Sequence, residues 1–221
     1  GFNVAVGYNA AVDMTTGINN TVIGALAGDA LTTCSGSVAV GQNALGSTTV
    51  GNDNIAIGRD ALTVNVNGSA SVAIGTLALQ DQAPTGTGNM YNIAIGHHAG
   101  RDISTSVNNT IIGGLAGDVI NTGSQNVAVG TAALSSATTS ANNVAIGVDA
   151  LGALTTSARN VAIGTEALNG AMATNSNTYN VAVGFQAGKV VTSGIRNTIV
   201  GGLAGDSLTT GSENVAIGYS A

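Results

Sequence analysis

The chain has no tryptophan, one proline and one cysteine among 221 residues. The lone Cys34 excludes an intramolecular disulfide framework. Charge is scarce as well: 7% of residues are Asp, Glu, Lys or Arg, against about 25% in an ordinary domain. The formal net charge is −6 and no basic cluster occurs, which argues against a nucleic-acid partner. No apolar run is long enough for a membrane helix, so membrane insertion is not expected. Aromatic residues make up 3%, and a thick core built on large rings is ruled out. Disorder is excluded by the abundance of Val and Ile, which disordered chains lack. What remains is a fold with a thin core that packs small and β-branched side chains closely.

Glycine, by contrast, is plentiful at 33, and thirteen glycines are regularly placed: Gly7, Gly24, Gly41, Gly58, Gly75, Gly96, Gly113, Gly130, Gly147, Gly164, Gly184, Gly201 and Gly218. Successive steps are 17 residues, except one of 21 and one of 20. A fixed period of this kind marks a repeat architecture. Counting from the residue four before each glycine, position 1 is Asn in eleven copies and Ser in two, Ser37 and Ser71. Positions 2 to 4 draw on Val, Ile, Ala and Thr, position 5 is Gly and position 8 is Ala. Position 12 is mostly apolar and positions 13 and 14 are mostly Thr. Gly7, Gly96 and Gly184 also mark a longer period of 89 and 88 residues. The chain therefore reads as one array over residues 1–221 in five-coil blocks, 3–91, 92–179 and a partial 180–221. It starts and stops inside the repeat and is expected to be a segment of a longer polypeptide.

β-Branched residues bounded by Asn and Gly predict a short strand at positions 2–4. A second, Thr-rich strand is expected at positions 11–14, and the stretch between is too short for a helix. A unit of this size cannot bury its own face, so neighbours stack. The expected fold is all-β: a parallel β-solenoid or β-roll of about thirteen 17-residue coils, roughly 60 Å long at about 4.8 Å per coil. Strand alternation suggests that the Val and Ile of positions 2 and 4 point inward. Ala at positions 3 and 8 and Leu at position 9 would then leave a second apolar face. Stacking turns position 1 into a ladder of side-chain amides: Asn3, Asn20, Asn54, Asn92, Asn109, Asn126, Asn143, Asn160, Asn180, Asn197 and Asn214. Gly at position 5 serves a positive φ or a close backbone approach. Cys34 stands at position 15, where sister coils carry Gly123 and Gly211, and reads as a replacement at a site that would otherwise take a positive φ.

The stretches NVAVGYNA, NVAIGTEAL and SVAVGQNALGSTTVGNDNIAIGRDAL resemble repeats of phage tail-fibre shafts. More loosely they resemble the heads of trimeric autotransporter adhesins, whose coil is shorter. The resemblance covers the whole chain. It implies a side-by-side homotrimer and an appendage that attaches to a host or a surface, with caps outside this segment.

Residues that could carry chemistry are few. His97-His98 fills positions 6 and 7, and strand alternation would send the two rings to opposite faces. Asp29, Asp118 and Asp206 recur five coils apart and read as turn residues. No phosphate-loop lysine accompanies the glycines. Neither catalysis nor a cofactor or metal is expected. A surface contact with a glycan or protein receptor is possible at position 6, through Tyr8, His97, Phe185 and Tyr219, because exposed aromatic rings suit such contacts. The expectation is a structural fibre segment, extracellular, at the cell surface or on a virion, that partners itself sideways and end to end. The alternatives are a bacterial trimeric adhesin, a free filament, or an ice-binding solenoid using the Thr pairs.

Overall fold

The computed structural model describes residues 1–170, 172 and 177–221. Part of the second insertion, residues 171 and 173–176, lies outside the described residues. The chain divides into two compact units, Gly1–Asn109 and Thr110–Ala221. The first holds β1 (Val4–Val6), β2 (Thr21–Ile23), β3 (Val38–Val40), β4 (Ile55–Ile57), β5 (Gly68–Ser69), β6 (Val72–Ile74), β7 (Gly88–Asn89) and β8 (Ile93–Ile95). The second holds β9 (Thr110–Ile112), β10 (Val127–Val129), β11 (Val144–Ile146), β12 (Val161–Ile163), β13 (Val181–Val183), β14 (Thr198–Val200) and β15 (Val215–Ile217).

Each unit is a parallel β-solenoid, and its strands follow the chain in sheet order. In the first unit the order is β1-β2-β3-β4-β6-β8. In the second it runs from β9 to β15 without a crossover. Register is the repeat itself: Val38 pairs with Ile55, and Val144 with Val161, both seventeen apart. The insertions leave it intact. Val72 pairs with Ile93 and Val161 with Val181. In the first unit the added residues loop outward, and the short strands β5 and β7 pair at their base.

The second strand expected at positions 11–14 does not form. Those residues lie in turns and bends, so each coil is one three-residue strand and a succession of turns. Coil-to-coil bonding continues there all the same. The amide of Thr15 donates to the Thr32 carbonyl at 2.9 Å, and that of Thr192 to Thr209 at 2.9 Å. Besides Gly at position 5, positions 7, 9 and 17 take positive φ, as in Asn43 (58°), Leu45 (54°) and Asp53 (56°). These reversals let a 17-residue loop close on itself.

Side-chain polarity across the strand is the reverse of the expectation. Position 3 points inward: Ala39, Ala56, Ala73, Ala128, Ala145 and Ala162 are fully buried. Positions 2 and 4 face outward, and Ile57, Ile93, Ile95 and Ile146 remain exposed. Ala at position 8 and the residue at position 9 also point inward, for example Ala44 with Leu45 and Ala133 with Leu134. In most coils one methyl at position 3 fills the inner face. Val22, Ile111 and Ile199 are the larger occupants, also buried, and each is in a coil whose position 9 is Gly: Gly28, Gly117 and Gly205.

Volume is balanced within most coils. Leu at position 9 often accompanies a smaller residue at position 12, as in Leu45 with Thr48, Leu62 with Asn65 and Leu134 with Ala137, all buried. Leu151 with Leu154, both buried, is an exception. Where position 12 is large, position 9 is often Gly, as in Gly28 with Leu31, Gly117 with Ile120 and Gly188 with Val191. The space at these glycines is already taken. A Cβ on Gly28 would lie 2.4 Å from Leu31 Cδ1, and one on Gly117 would lie 2.9 Å from Ile120 Cδ1. A leucine in left-handed conformation costs about 1–2 kcal/mol. Burying its side chain contributes about 1.5–3 kcal/mol, which offsets that cost.

Glycine at position 5 meets both conditions named from the sequence. Gly41 has φ +129, and a Cβ there would sit 2.6 Å from the carbonyl oxygen of Gly58 in the next coil. That neighbour is backbone and cannot swing aside. Gly41→Ala is expected to destabilise the fold by at least about 2 kcal/mol. Gly86→Ala, in the outward loop with open space around it, should change stability by no more than about 0.5 kcal/mol. Urea denaturation followed by circular dichroism checks the pair.

Candidate functional site

Position 1 forms a buried polar column in each unit. In the second unit the backbone N–H of Asn143 donates to Oδ1 of Asn126 at 3.0 Å, Asn160 to Asn143 at 2.9 Å and Asn180 to Asn160 at 3.0 Å. Asn197 donates likewise to Asn180 and Asn214 to Asn197, each at 2.9 Å. The first unit joins Asn20 to Asn3 at 2.9 Å, Ser37 to Asn20 at 2.9 Å and Asn109 to Asn92 at 3.0 Å. Ser37 continues the column with a longer contact, accepting from the Asn54 amide at 3.2 Å. Next to the first insertion, Gln82 bridges Ser71 and Asn92 through Oε1, at 3.2 and 3.0 Å.

Each asparagine also closes its own coil. Nδ2 donates to the position-15 carbonyl fourteen residues on: Asn54 to Gly68 at 2.8 Å, Asn126 to Ser140 at 2.9 Å, Asn180 to Gly194 at 2.8 Å. The side chain thus spans the coil and binds its neighbour. An amide so committed is a staple, with nothing left over for catalysis.

Position 15 takes no positive φ at Gly17, Gly123, Gly194 or Gly211, contrary to expectation, so Cys34 stands there without backbone strain. Its side chain is buried. Burial pushes the thiol up to about 11, and no partner for it is named by the geometry. Because that value lies above the ordinary 9.0, Cys34 adds no pH dependence below 9.0. It costs stability as pH rises from there through about 11, where the unfolded chain ionises and the folded one does not.

The histidine pair departs from the alternation expected of a strand. His97 and His98 sit in a turn, and their rings stack with centroids 4.0 Å apart. Nδ1 of His98 lies 3.2 Å from the Arg101 guanidinium, which also holds Asp102 at 2.6 Å. Burial, then the charge of Asp102, raises Asp81, while Arg101 works against both. In the second unit, bonds from Lys189 and then Gln186 hold the Glu166 carboxyl below its ordinary value. These pairs are exposed or half-exposed, and such pairs are worth at most about 1 kcal/mol. Among the described residues no group of three or more His, Cys, Asp or Glu could hold a metal ion. A concavity lined by Leu208, Asn214, Ala216 and Ala221 is the inner column laid open at the last coil. Among the described residues no helix is long and apolar enough to cross a membrane.

The position-13 threonines bond from coil to coil. Oγ1 of Thr15 donates to Thr32 O at 3.0 Å and Oγ1 of Thr32 to Thr49 O at 2.8 Å. A hydroxyl bonded in this way keeps only acceptor capacity for other contacts.

Two surfaces face solvent in register. The first is the sheet face of positions 2 and 4, whose residues in all thirteen copies are Val or Ile except Thr21, Thr110 and Thr198. The second flanks it at position 6, where Tyr8, Phe185 and Tyr219 are 74%, 55% and 80% exposed, and His97 is exposed too. Sequence reasoning placed the outward columns inside. It also passed over Tyr91 and Tyr179 at position 17, both exposed. The available signal was parity: counted across the coil boundary, position 17 falls in step with positions 2, 4 and 6.

Asn143→Ala should cost on the order of 3 kcal/mol, because the Asn160 amide and the Ser157 carbonyl both lose a buried partner. Asn143→Ser should cost less, since serine already serves at two copies; thermal unfolding of the pair is the check. Cys34 should resist a thiol reagent at about pH 8 in the folded protein and react once the chain is unfolded in urea.

The chain matches no protein-family model, and no curated protein and no solved structure is significantly similar to it.

Proposed function

We propose that this chain is a non-enzymatic structural segment of a fibre, part of an extracellular or virion appendage that attaches to a host or surface, and that it works as a homotrimer. The observation that carries this reading is the outward sheet face. Positions 2 and 4 hold no charged residue in any copy, and Val4, Val6, Ile57, Ile95, Ile146 and Ile163 are exposed on the single chain.

The magnitude matters. The three strand residues of a coil span about 10 Å and coils rise about 4.8 Å, so each coil presents roughly 48 Å² of apolar face. The six main strands of the first unit then present roughly 290 Å² and the seven of the second roughly 330 Å². A monomer's largest apolar patch is about 300–600 Å², and each unit carries one patch of that order. An uncharged patch of this kind supports burial against protein. Cyclic closure gives each copy two neighbours and no open end sideways.

The mechanical role follows from bonding. Backbone and asparagine bonds run from coil to coil along each unit, so pulling or bending must break many of them together. Nothing in the amide column or the scattered ion pairs supplies a nucleophile, a poised acid–base pair or a metal, and this supports a non-catalytic role.

Sedimentation equilibrium should give three times the 21.3 kDa chain mass; a monomer mass would overturn the trimer. Ile57→Lys with Ile146→Lys should dissociate the assembly while leaving the circular dichroism of the coil unchanged. Both positions are solvent-exposed in the single chain, and a lysine in the joint would bury an unpaired charge.

A further inference from the structure

The aromatic residues are distributed by block. The chain has two Phe and four Tyr. Five of the six fall at the first coil of a five-coil block, on either side of its strand: Phe2 and Tyr8 flank β1, Tyr91 precedes β8, and Tyr179 and Phe185 flank β13. The sixth ring of the pattern is His97, after β8. Each such coil carries a rung in one sequence pattern. It reads Phe2-Val4-Val6-Tyr8, then Tyr91-Ile93-Ile95-His97, then Tyr179-Val181-Val183-Phe185. The rings are exposed, from 49% at Tyr179 to 91% at Phe2.

Most other coils place small or polar residues in the same columns. Position 6 has Ala25, Gln42, Thr76, Thr131 and Thr165, with Val148 and Tyr219 as the exceptions; position 17 has Asn19, Ala70, Asn108 and Asn142. Nothing inside a coil requires the aromatic ring, since the fold accepts Thr and Asn at these places.

A face that repeats every coil has a problem of register. A neighbour could slide along it by one coil, about 4.8 Å, and every Val and Ile would again meet Val or Ile. The partner that matches such a face along its length has the same rise, and a second copy of this chain has it by construction. We infer that the aromatic rungs fix the axial register between copies, so that the same coil of each copy meets at one level. This rests on the homotrimeric reading above. A slip of one to four coils sets most rings against small or polar residues and leaves them half covered; the one aromatic match is Phe185 with Tyr219 at a slip of two. In register, rings of neighbouring copies stand beside one another, where aromatic pairs gain beyond their area. A slip of five coils would match rungs again but leave five of the thirteen coils of each copy uncovered.

The test uses the full 221-residue chain with Cys34→Ser and a nitroxide at Gln42→Cys, an exposed position-6 site between rungs. Dipolar electron spin resonance should give one narrow distance in the trimer. A second protein adds Phe2→Asn, Tyr8→Thr, Tyr91→Asn, His97→Thr, Tyr179→Asn, Phe185→Thr and Tyr219→Thr, each taking a residue already present in its column. Its distance distribution should broaden to include values lengthened by slips of about 4.8 Å per coil. In-register molecules should fall about tenfold relative to slipped ones, the weight of roughly one aromatic pair. A trimer whose distribution stays narrow without the rings overturns the register role and leaves the trimer standing. A monomer mass for the parent protein overturns both, and would leave the rungs to a partner other than this chain.

Discussion

Vertical stacking at the strand spacing is the constraint on which everything else depends. Coils are hydrogen-bonded through their backbones, strand to strand and turn to turn. Each position therefore lies over its own equivalent. Any residue suited to the position is repeated, and any unsuited residue would fail repeatedly. Asparagine at position 1 satisfies this because its amide both accepts from the coil above or below and closes its own coil. Glycine at position 5 satisfies it because a carbonyl of the next coil occupies the place of a side chain.

The same constraint explains the economy of composition. A coil this narrow mostly admits an alanine at positions 3 and 8 and one large residue at position 9 or 12, with a few larger exceptions such as Ile111 at position 3 and Leu151 with Leu154. Bulky aromatic rings have no place inside, and those the chain has are on the surface. Charges are kept from the sheet face and placed at turns, where exposed pairs such as Arg196 with Glu213 form. Left-handed backbone at leucines such as Leu62 and Leu151 is tolerable because burial outweighs it. The fold thus carries distributed local cost and recovers it through packing and coil-to-coil bonds.

On the proposed reading, the two periods have separate roles. The 17-residue period builds a stiff, uniform element with an apolar face. The block of 88 or 89 residues interrupts that uniformity with an insertion and an aromatic rung. Uniformity suits a shaft, and interruption suits specificity, because identical coils cannot tell one axial alignment from another.

Period, strand position and parallel stacking were legible in the residues themselves, since Val-Ala-Ile between Asn and Gly at a spacing of seventeen leaves few alternatives. The sequence by itself determined that Asn143 stands over Asn126 and Gly147 over Gly130. It did not determine which face of the strand is interior. Alternation assigns positions 2 and 4 to one side and position 3 to the other, and both sets are apolar. Only the tertiary structure decided between them, because the choice depends on the internal width of a closed coil. That width is set by the positive-φ turns at positions 7, 9 and 17; Asn43 and Asp53 are residue types that tolerate such turns, but Leu45 gives no sequence sign of its conformation. With the interior filled by Ala39, Ala44 and Leu45, the Val and Ile of the strand had to face out, and an expected core became the candidate interface.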